Sequence, residues 1–173
     1  MNTISCSKVF LVLLVTLLPN QIFADQNLIS SACGHTLYKD LCTTTLESDP
    51  ESSSATSFDV LTKVALKHAT STATEIHDQV TTLLKGSSSN KDALTGCNKN
   101  FQDAIERLAA ASKSLASKKY FDVYTWVSSA VSSSDTCGEG FKKVGETKSP
   151  LADQSTTFAH LGSIVIDITN QLK

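Results

Sequence analysis

The sequence predicts an all-helical fold, an up-down-up-down bundle of four helices preceded by a short helical hairpin. Glycine and proline are scarce, with 7 and 3 residues in a chain of 173, which favours a few long helices. Four stretches repeat apolar residues at intervals of three and four, the period of an amphipathic helix. No stretch sustains the period-two alternation that is typical of a half-buried strand.

The first 24 residues have the pattern of a secretory signal peptide. A weakly basic start with Lys8 precedes a nearly continuous apolar run from Val9 to Leu18, and the small residue Ala24 closes the segment. This run of about ten residues is shorter than the roughly 20 that a membrane-spanning helix needs. We therefore expect a secreted protein without a membrane anchor. The predicted parts are a signal peptide at 1–24 and one domain at 25–173, with a helical hairpin at 25–48 and the bundle at 57–173.

The hairpin is too short for two full bundle helices, and we expect it to form an appendage to the bundle. The first bundle helix is predicted from Ser57 to Lys85, where Gly86 can end it. The second and third follow after short breaks, and the last begins near Asp153 or Ser155, either of which can cap it. The regular apolar positions are Leu94, Cys97, Phe101, Ala104, Leu108, Ala111 and Leu115 in the second helix, and Val123, Val127, Ala130, Ser134, Cys137 and Phe141 in the third.

Four cysteines remain after the signal peptide, an even number typical of two disulfides in a small secreted protein. Cys33 and Cys42 are nine residues apart and can close a local hairpin. Cys97 and Cys137 lie on the apolar faces of successive helices, which an antiparallel arrangement brings together. We predict the pairs Cys33–Cys42 and Cys97–Cys137.

Charge and motifs argue for a protein that acts by binding another protein. Without Lys8, 14 of the 15 basic residues remain against 17 acidic ones, a formal charge of −3, so neither nucleic acid nor an anionic membrane is an expected partner. The sequence contains no Gly-x-Ser-x-Gly elbow, Gly-rich phosphate loop or His-Glu-x-x-His motif. His68 and His77 lie about 13 Å apart along one helix and cannot share a metal as a pair. We expect no catalytic centre, metal or cofactor.

The outer face of the third bundle helix carries a row of hydroxyl side chains. With Val127 and Cys137 facing the core, these hydroxyls align on the opposite side, between Tyr124 and Trp126. Small side chains permit close approach of a partner, and aromatic residues are frequent at binding hot spots. The alternative is a solvated face in a chain rich in serine and threonine. The predicted partner-binding residues are Asp103 and Glu106 on the second helix and the hydroxyl row, Thr125, Ser129, Ser132 and Thr136, on the third.

Short motifs along the whole mature chain are weak singly but form a specific pattern in their order and spacing. They are CGHTLYKDLC at 33–42, LESDP at 46–50, Cys97 followed by FQDAI at 101–105, Tyr120 followed by WVSSA at 126–130, DTC at 135–137, and Phe141. This pattern resembles the plant invertase and pectin methylesterase inhibitor family. The resemblance implies a four-helix bundle with an N-terminal helical hairpin and the same two disulfides. It also implies inhibition by docking over the active-site cleft of a target enzyme.

Pectin methylesterase and acid invertase are the two targets that the family implies. Inhibitors of pectin methylesterase resemble this chain better at Ser128-Ser129-Ala130 and Thr136-Cys137. The Pro-Lys-Phe motif of invertase inhibitors is matched only by Lys119-Tyr120-Phe121, without the proline. Two positions depart from many pectin methylesterase inhibitors, because Ser132 stands where they carry an acidic residue and Gly162 where they carry a fifth cysteine.

The function that we expect is therefore inhibition of pectin methylesterase in the plant cell wall, by a monomer that forms a 1:1 complex with its target. An inhibitor of acid invertase is the alternative, for which the vacuole is a second location. A carrier of apolar ligands is less favoured, because Leu, Ile, Val and Phe fill the core positions at ordinary density and leave no indication of a cavity.

Overall fold

The computed structural model describes residues 28–86, 90–145 and 149–172, and within these ranges it contains helices and turns but no strand. The predicted signal peptide at 1–24 lies outside them. Helical residues 28–33 form α1. The other elements are α2 at Lys39–Ser48, a 3₁₀ turn at Ser52–Ser54, α3 at Phe58–Lys85, α4 at Lys91–Ala116, α5 at Tyr120–Lys143 and α6 at Ala152–Thr169.

The four long helices, α3 to α6, form the predicted bundle. Each packs on its neighbours in sequence, and α3 also packs on α6, which closes the bundle. The apolar positions of the second and third bundle helices are buried as expected. Phe101 of α4 meets Phe158 of α6 edge to face, with 5.6 Å between the ring centroids. The all-helical fold class is therefore confirmed.

The limits of the first bundle helix agree with the prediction, whereas the start of the last helix does not. Helix α3 begins directly after Ser57 and ends before Gly86. Helix α6 begins at Ala152, before either predicted cap. The cause is a turn just upstream, in which the backbone N–H of Leu151 donates to Ser149 Oγ at 3.1 Å. Asp153 consequently lies in the first turn of α6, where a carboxylate favours the positive end of the helix dipole.

The N-terminal hairpin of α1 and α2 belongs to the same core as the bundle and is not an appendage. Leu46 of α2 is fully buried in the common apolar cluster. Tyr38 stacks on His160 of α6 with ring centroids 3.8 Å apart, and the side chain of Gln171 donates to the carbonyl of Ala32 at 3.0 Å. Two short helices cannot bury their own apolar faces, so they pack against the bundle.

Both predicted disulfides are present. Cys33–Cys42 closes the turn between α1 and α2, with Cα atoms 5.7 Å apart. Cys97–Cys137 joins α4 to α5, with Cα atoms 4.6 Å apart. All four residues are buried. The second bridge therefore fixes two neighbouring bundle helices to each other.

Asp49 fastens the end of α2 to α3. Its side chain is only 5% exposed, and Oδ2 lies 2.7 Å from Nζ of Lys67 and 3.3 Å from Nε2 of His68. Oδ1 accepts the backbone N–H of Glu51 at 3.0 Å. The hydrogen bond from Lys67, followed by that from Glu51, holds the pKa of Asp49 below its ordinary value in spite of burial.

Asp49→Asn should destabilise the protein at neutral pH but not in strong acid. The pKa of Asp49 is lower in the folded protein than in the unfolded chain, where it is about 3.9. The ionised Asp49 therefore contributes its full stabilisation above that pH. It is lost as the pH falls through the folded value. We expect a loss of roughly 1–2 kcal/mol near neutral pH, measured by urea unfolding of both proteins at several pH values. A difference that stayed constant into strong acid would contradict this role of Asp49.

Gly162 lets α6 approach α5 closely. A Cβ at this position would overlap with Cγ2 of Val131, a β-branched side chain with few alternative rotamers. In this chain Val131 therefore occupies the space that a side chain at position 162 would need.

Gly162→Ala should destabilise the bundle by about 1–3 kcal/mol, because the added methyl group overpacks the contact with Val131. Combining it with Val131→Ala should cost less than the sum of the two single changes. Thermal unfolding measures these differences. Gly96→Ala in α4 is the matched control, since among the described residues no side chain and no other helix lies within 4 Å of the added Cβ and alanine favours a helix by about 1 kcal/mol. Equal stability of Gly162→Ala and the parent would contradict the prediction.

Candidate functional site

The hydroxyl row lies on the outer side of α5. Thr125, Ser132 and Thr136 are exposed, and Ser129 is half-buried toward α4. The opposite side of α5 faces the core, where Val127 is fully buried. The structure thus places all four hydroxyls on one face, at successive turns of a single rigid helix.

Three hydroxyls of the row donate their hydrogens to their own helix. Thr125 Oγ1 donates to the carbonyl of Phe121 at 2.9 Å, and Ser132 Oγ donates to that of Ser129 at 2.8 Å. Thr136 Oγ1 donates to the carbonyl of Ser132 at 3.0 Å. A hydroxyl oxygen that has donated its hydrogen can still accept, so the row offers hydrogen-bond acceptors to a partner.

Arg107, the only arginine of the chain, joins α4 to α5 at this surface. Its Nη1 donates to Ser129 Oγ at 2.6 Å. We did not predict Arg107 from the sequence. The sequence did offer one indication that Arg107 belongs to this surface. It lies four residues after Asp103 and one after Glu106, on the same outward side of α4.

Asp103 and Glu106 line a shallow cleft between α4 and α5. Arg107 and Ala110 complete the α4 side, and Trp126 forms the α5 side, enclosing about 380 Å³. Trp126 is 38% exposed, so its ring borders the cleft and is available to a partner. The structure brings the two predicted carboxylates together with Trp126 and, through Arg107, with Ser129. Thr125 lies one turn before Ser129, and Ser132 and Thr136 lie one and two turns after it.

The first turn of α5 carries one hydrogen-bonded and one exposed aromatic ring. The hydroxyl of Tyr120 donates to Asp59 Oδ1 at 2.9 Å and ties the start of α5 to the start of α3. Burial and this hydrogen bond raise the pKa of Tyr120. Phe121 is 81% exposed, and Tyr124 is 44% exposed one turn further. These rings extend the candidate surface past the beginning of the hydroxyl row.

Comparison with known proteins assigns this arrangement to a family. Residues 27–168 match the family model described as plant invertase/pectin methylesterase inhibitor. The chain is 27% identical to Pectinesterase inhibitor 3 of Arabidopsis thaliana, with 85% of this chain and 80% of the relative covered. It is also 27% identical to Pectinesterase inhibitor 2 of the same plant, with 83% of each covered. The crystal structure of mutant form A of a pectin methylesterase inhibitor from Arabidopsis superimposes with a TM-score of 0.71 at 26% identity, covering 84% of this chain and 97% of that one.

Proposed function

The chain belongs to the plant invertase/pectin methylesterase inhibitor family, and on this premise we propose that it inhibits pectin methylesterase by docking over the active-site cleft of the enzyme. The matching family model is described as an inhibitor of plant invertase and pectin methylesterase. The named relatives above are pectinesterase inhibitors, and the superimposed structure is of the same kind. These likenesses support pectin methylesterase as the target.

The docking surface that we propose consists of Asp103, Glu106 and the hydroxyl row. The observation that carries this proposal is the rigid pairing of α4 and α5 beneath that surface. The Cys97–Cys137 bridge and the hydrogen bond from Arg107 to Ser129 both hold the two helices in one arrangement. A preorganised surface loses little conformational freedom on binding, so more of the contact energy appears as affinity.

The chemistry of this surface suggests how it meets the enzyme. Carboxylates and hydroxyl oxygens accept hydrogen bonds, which backbone N–H groups and polar side chains of the enzyme can donate. Trp126 adds an apolar contact at the edge of the cleft. An enzyme covered in this way is inaccessible to a polymeric substrate even though no inhibitor side chain reacts.

Acid invertase is the second candidate target, and the exposure of Phe121 favours it. Phe121 is exposed in the first turn of α5, within Lys119-Tyr120-Phe121, the segment that matches the motif of invertase inhibitors except for its proline. In that case the start of α5, rather than the hydroxyl row, would make the central contact.

We further propose that the mature domain, 25–173, is secreted into the cell wall and binds its target as a monomer in a 1:1 complex. None of the helices in the described ranges is both long and apolar enough to span a membrane.

A paired assay tests the proposed target. The purified mature protein is titrated against one pectin methylesterase and one acid invertase at the acidic pH of the plant cell wall. We expect complete inhibition of pectin methylesterase at equimolar amounts and none of invertase. Inhibition of invertase alone would overturn the target, and inhibition of neither enzyme would overturn the proposed function.

A further inference from the structure

A second concave surface lies between the start of α3 and the end of α4. It encloses about 560 Å³, and its floor is formed by Val60 and Leu66 of α3 and by Leu115 and Ala116 of α4. Leu66 and Leu115 are buried, so this floor is the outer edge of the core. We call it the α3–α4 groove. Its volume falls within the roughly 300–1,000 Å³ of small-molecule sites.

The α3–α4 groove is separate from the proposed docking surface. Ser112 lines the groove and lies nine residues after Asp103 of the docking cleft. At about 100° per residue this places the two side chains on opposite flanks of α4. A ligand in the groove would therefore leave the docking surface uncovered.

The rim of the groove offers one unpaired cation next to the apolar floor. Lys118 follows the end of α4 and lines the groove. Within the described residues it forms no salt bridge. Among the described residues of the lining, three are lysines, Lys63, Lys67 and Lys118, against the single carboxylate of Asp59. The lining thus attracts negative charge more than positive charge.

Two further lysines lie at the rim, and they differ in availability. Lys67 is held by the buried carboxylate of Asp49. Lys63 pairs with Glu51 on the surface, where its side chain is 65% exposed and that of Glu51 is 36% exposed. Exposed pairs of this kind are worth little, so the ammonium group of Lys63 can turn to another anion at small cost. Lys63 and Lys118 are therefore the available cations.

We propose that the α3–α4 groove binds a small amphipathic carboxylate. Its acyl chain lies on Val60, Leu66 and Leu115, and its carboxylate meets Lys63 and Lys118 at the rim. The apolar floor selects for an acyl chain, and the unpaired charge of Lys118 selects for an anion over an alcohol of the same length. This site is independent of the inhibitory function, because the proposed docking surface lies on the opposite flank of α4.

Fluorescence titration of the full mature protein with 8-anilinonaphthalene-1-sulfonate, an amphipathic anion, tests the proposal. We expect saturable binding at one site and displacement of the probe by decanoate, with decanol displacing it at least about five-fold less effectively. Ala116→Trp fills the groove from an exposed position and should abolish binding. It should leave inhibition of pectin methylesterase unchanged.

Charge reversal at single lysines distinguishes a specific contact between the ligand and the rim from a general effect of the protein's net charge. Lys118→Glu should weaken binding of decanoate by about five-fold or more. Lys113→Glu is the matched control, an equal charge change at an exposed position of α4 outside the groove lining. Circular dichroism verifies that each variant is folded. Unchanged binding to Ala116→Trp, equal losses in the two charge variants, or equal displacement by decanol and decanoate would each overturn the proposal.

Discussion

Thr136→Trp should lower the affinity for pectin methylesterase by about 100-fold or more, equivalent to about 2.7 kcal/mol. Thr136 is exposed, and within the described part of the chain its hydroxyl bonds only to the carbonyl of Ser132, one turn earlier in α5. A tryptophan there removes no contact with another helix, so the bundle should remain folded. Its bulk projects from the hydroxyl row and holds the enzyme away from the docking surface. Inhibition constants of the parent and the variant measure the effect.

Thr82→Trp is the matched control for this experiment. Thr82 is also exposed, and it also donates to the carbonyl four residues earlier, at 3.0 Å, but it lies on α3. It should leave inhibition unchanged. Ser129→Trp should also block inhibition, since it displaces the guanidinium of Arg107 in addition to adding bulk. If Thr136→Trp and Ser129→Trp both inhibited as well as the parent, the proposed docking surface would be wrong.

Replacing Cys97 and Cys137 together by alanine should cause the largest loss of stability. The bridge spans a sequence separation of 40 residues, and in the chain-entropy model closing such a loop contributes about 4 kcal/mol. For a domain of this size we expect the midpoint of thermal unfolding to fall by about 10 °C. Calorimetry of the two proteins under identical conditions measures the change.

Removing the other bridge supplies the comparison. Cys33–Cys42 spans a separation of nine residues, for which the same model gives about 3 kcal/mol. The two variants should also differ in their affinity for pectin methylesterase. Loss of Cys97–Cys137 frees α4 from α5 beneath the docking surface and should weaken inhibition, whereas loss of Cys33–Cys42 should leave inhibition nearly unchanged in the folded protein. A greater loss of inhibition from the hairpin bridge would contradict the proposed preorganisation.

The apolar pattern predicted the helices because helical period is a local property of the chain. In α4 the spacing of the apolar residues from Leu94 to Leu115 determined which side of the helix faces the core. Cys97 belongs to that series, so its position in the core was predicted with it. Boundaries were less predictable. The beginning of α6 depends on a turn at Ser149 and Leu151, in which a side-chain hydroxyl competes with the capping residues that the sequence offers further on.

The sequence by itself determined the helical class, the two cysteine pairs and the face of α5 that carries the hydroxyl row. Only the tertiary structure decided that the N-terminal hairpin belongs to the core, that Arg107 reaches Ser129, and that Val131 lies against Gly162. Each of these contacts joins residues far apart in the chain. Periodicity states which side of a helix is apolar, but the offset and rotation of neighbouring helices, which decide such contacts, follow from packing the whole core.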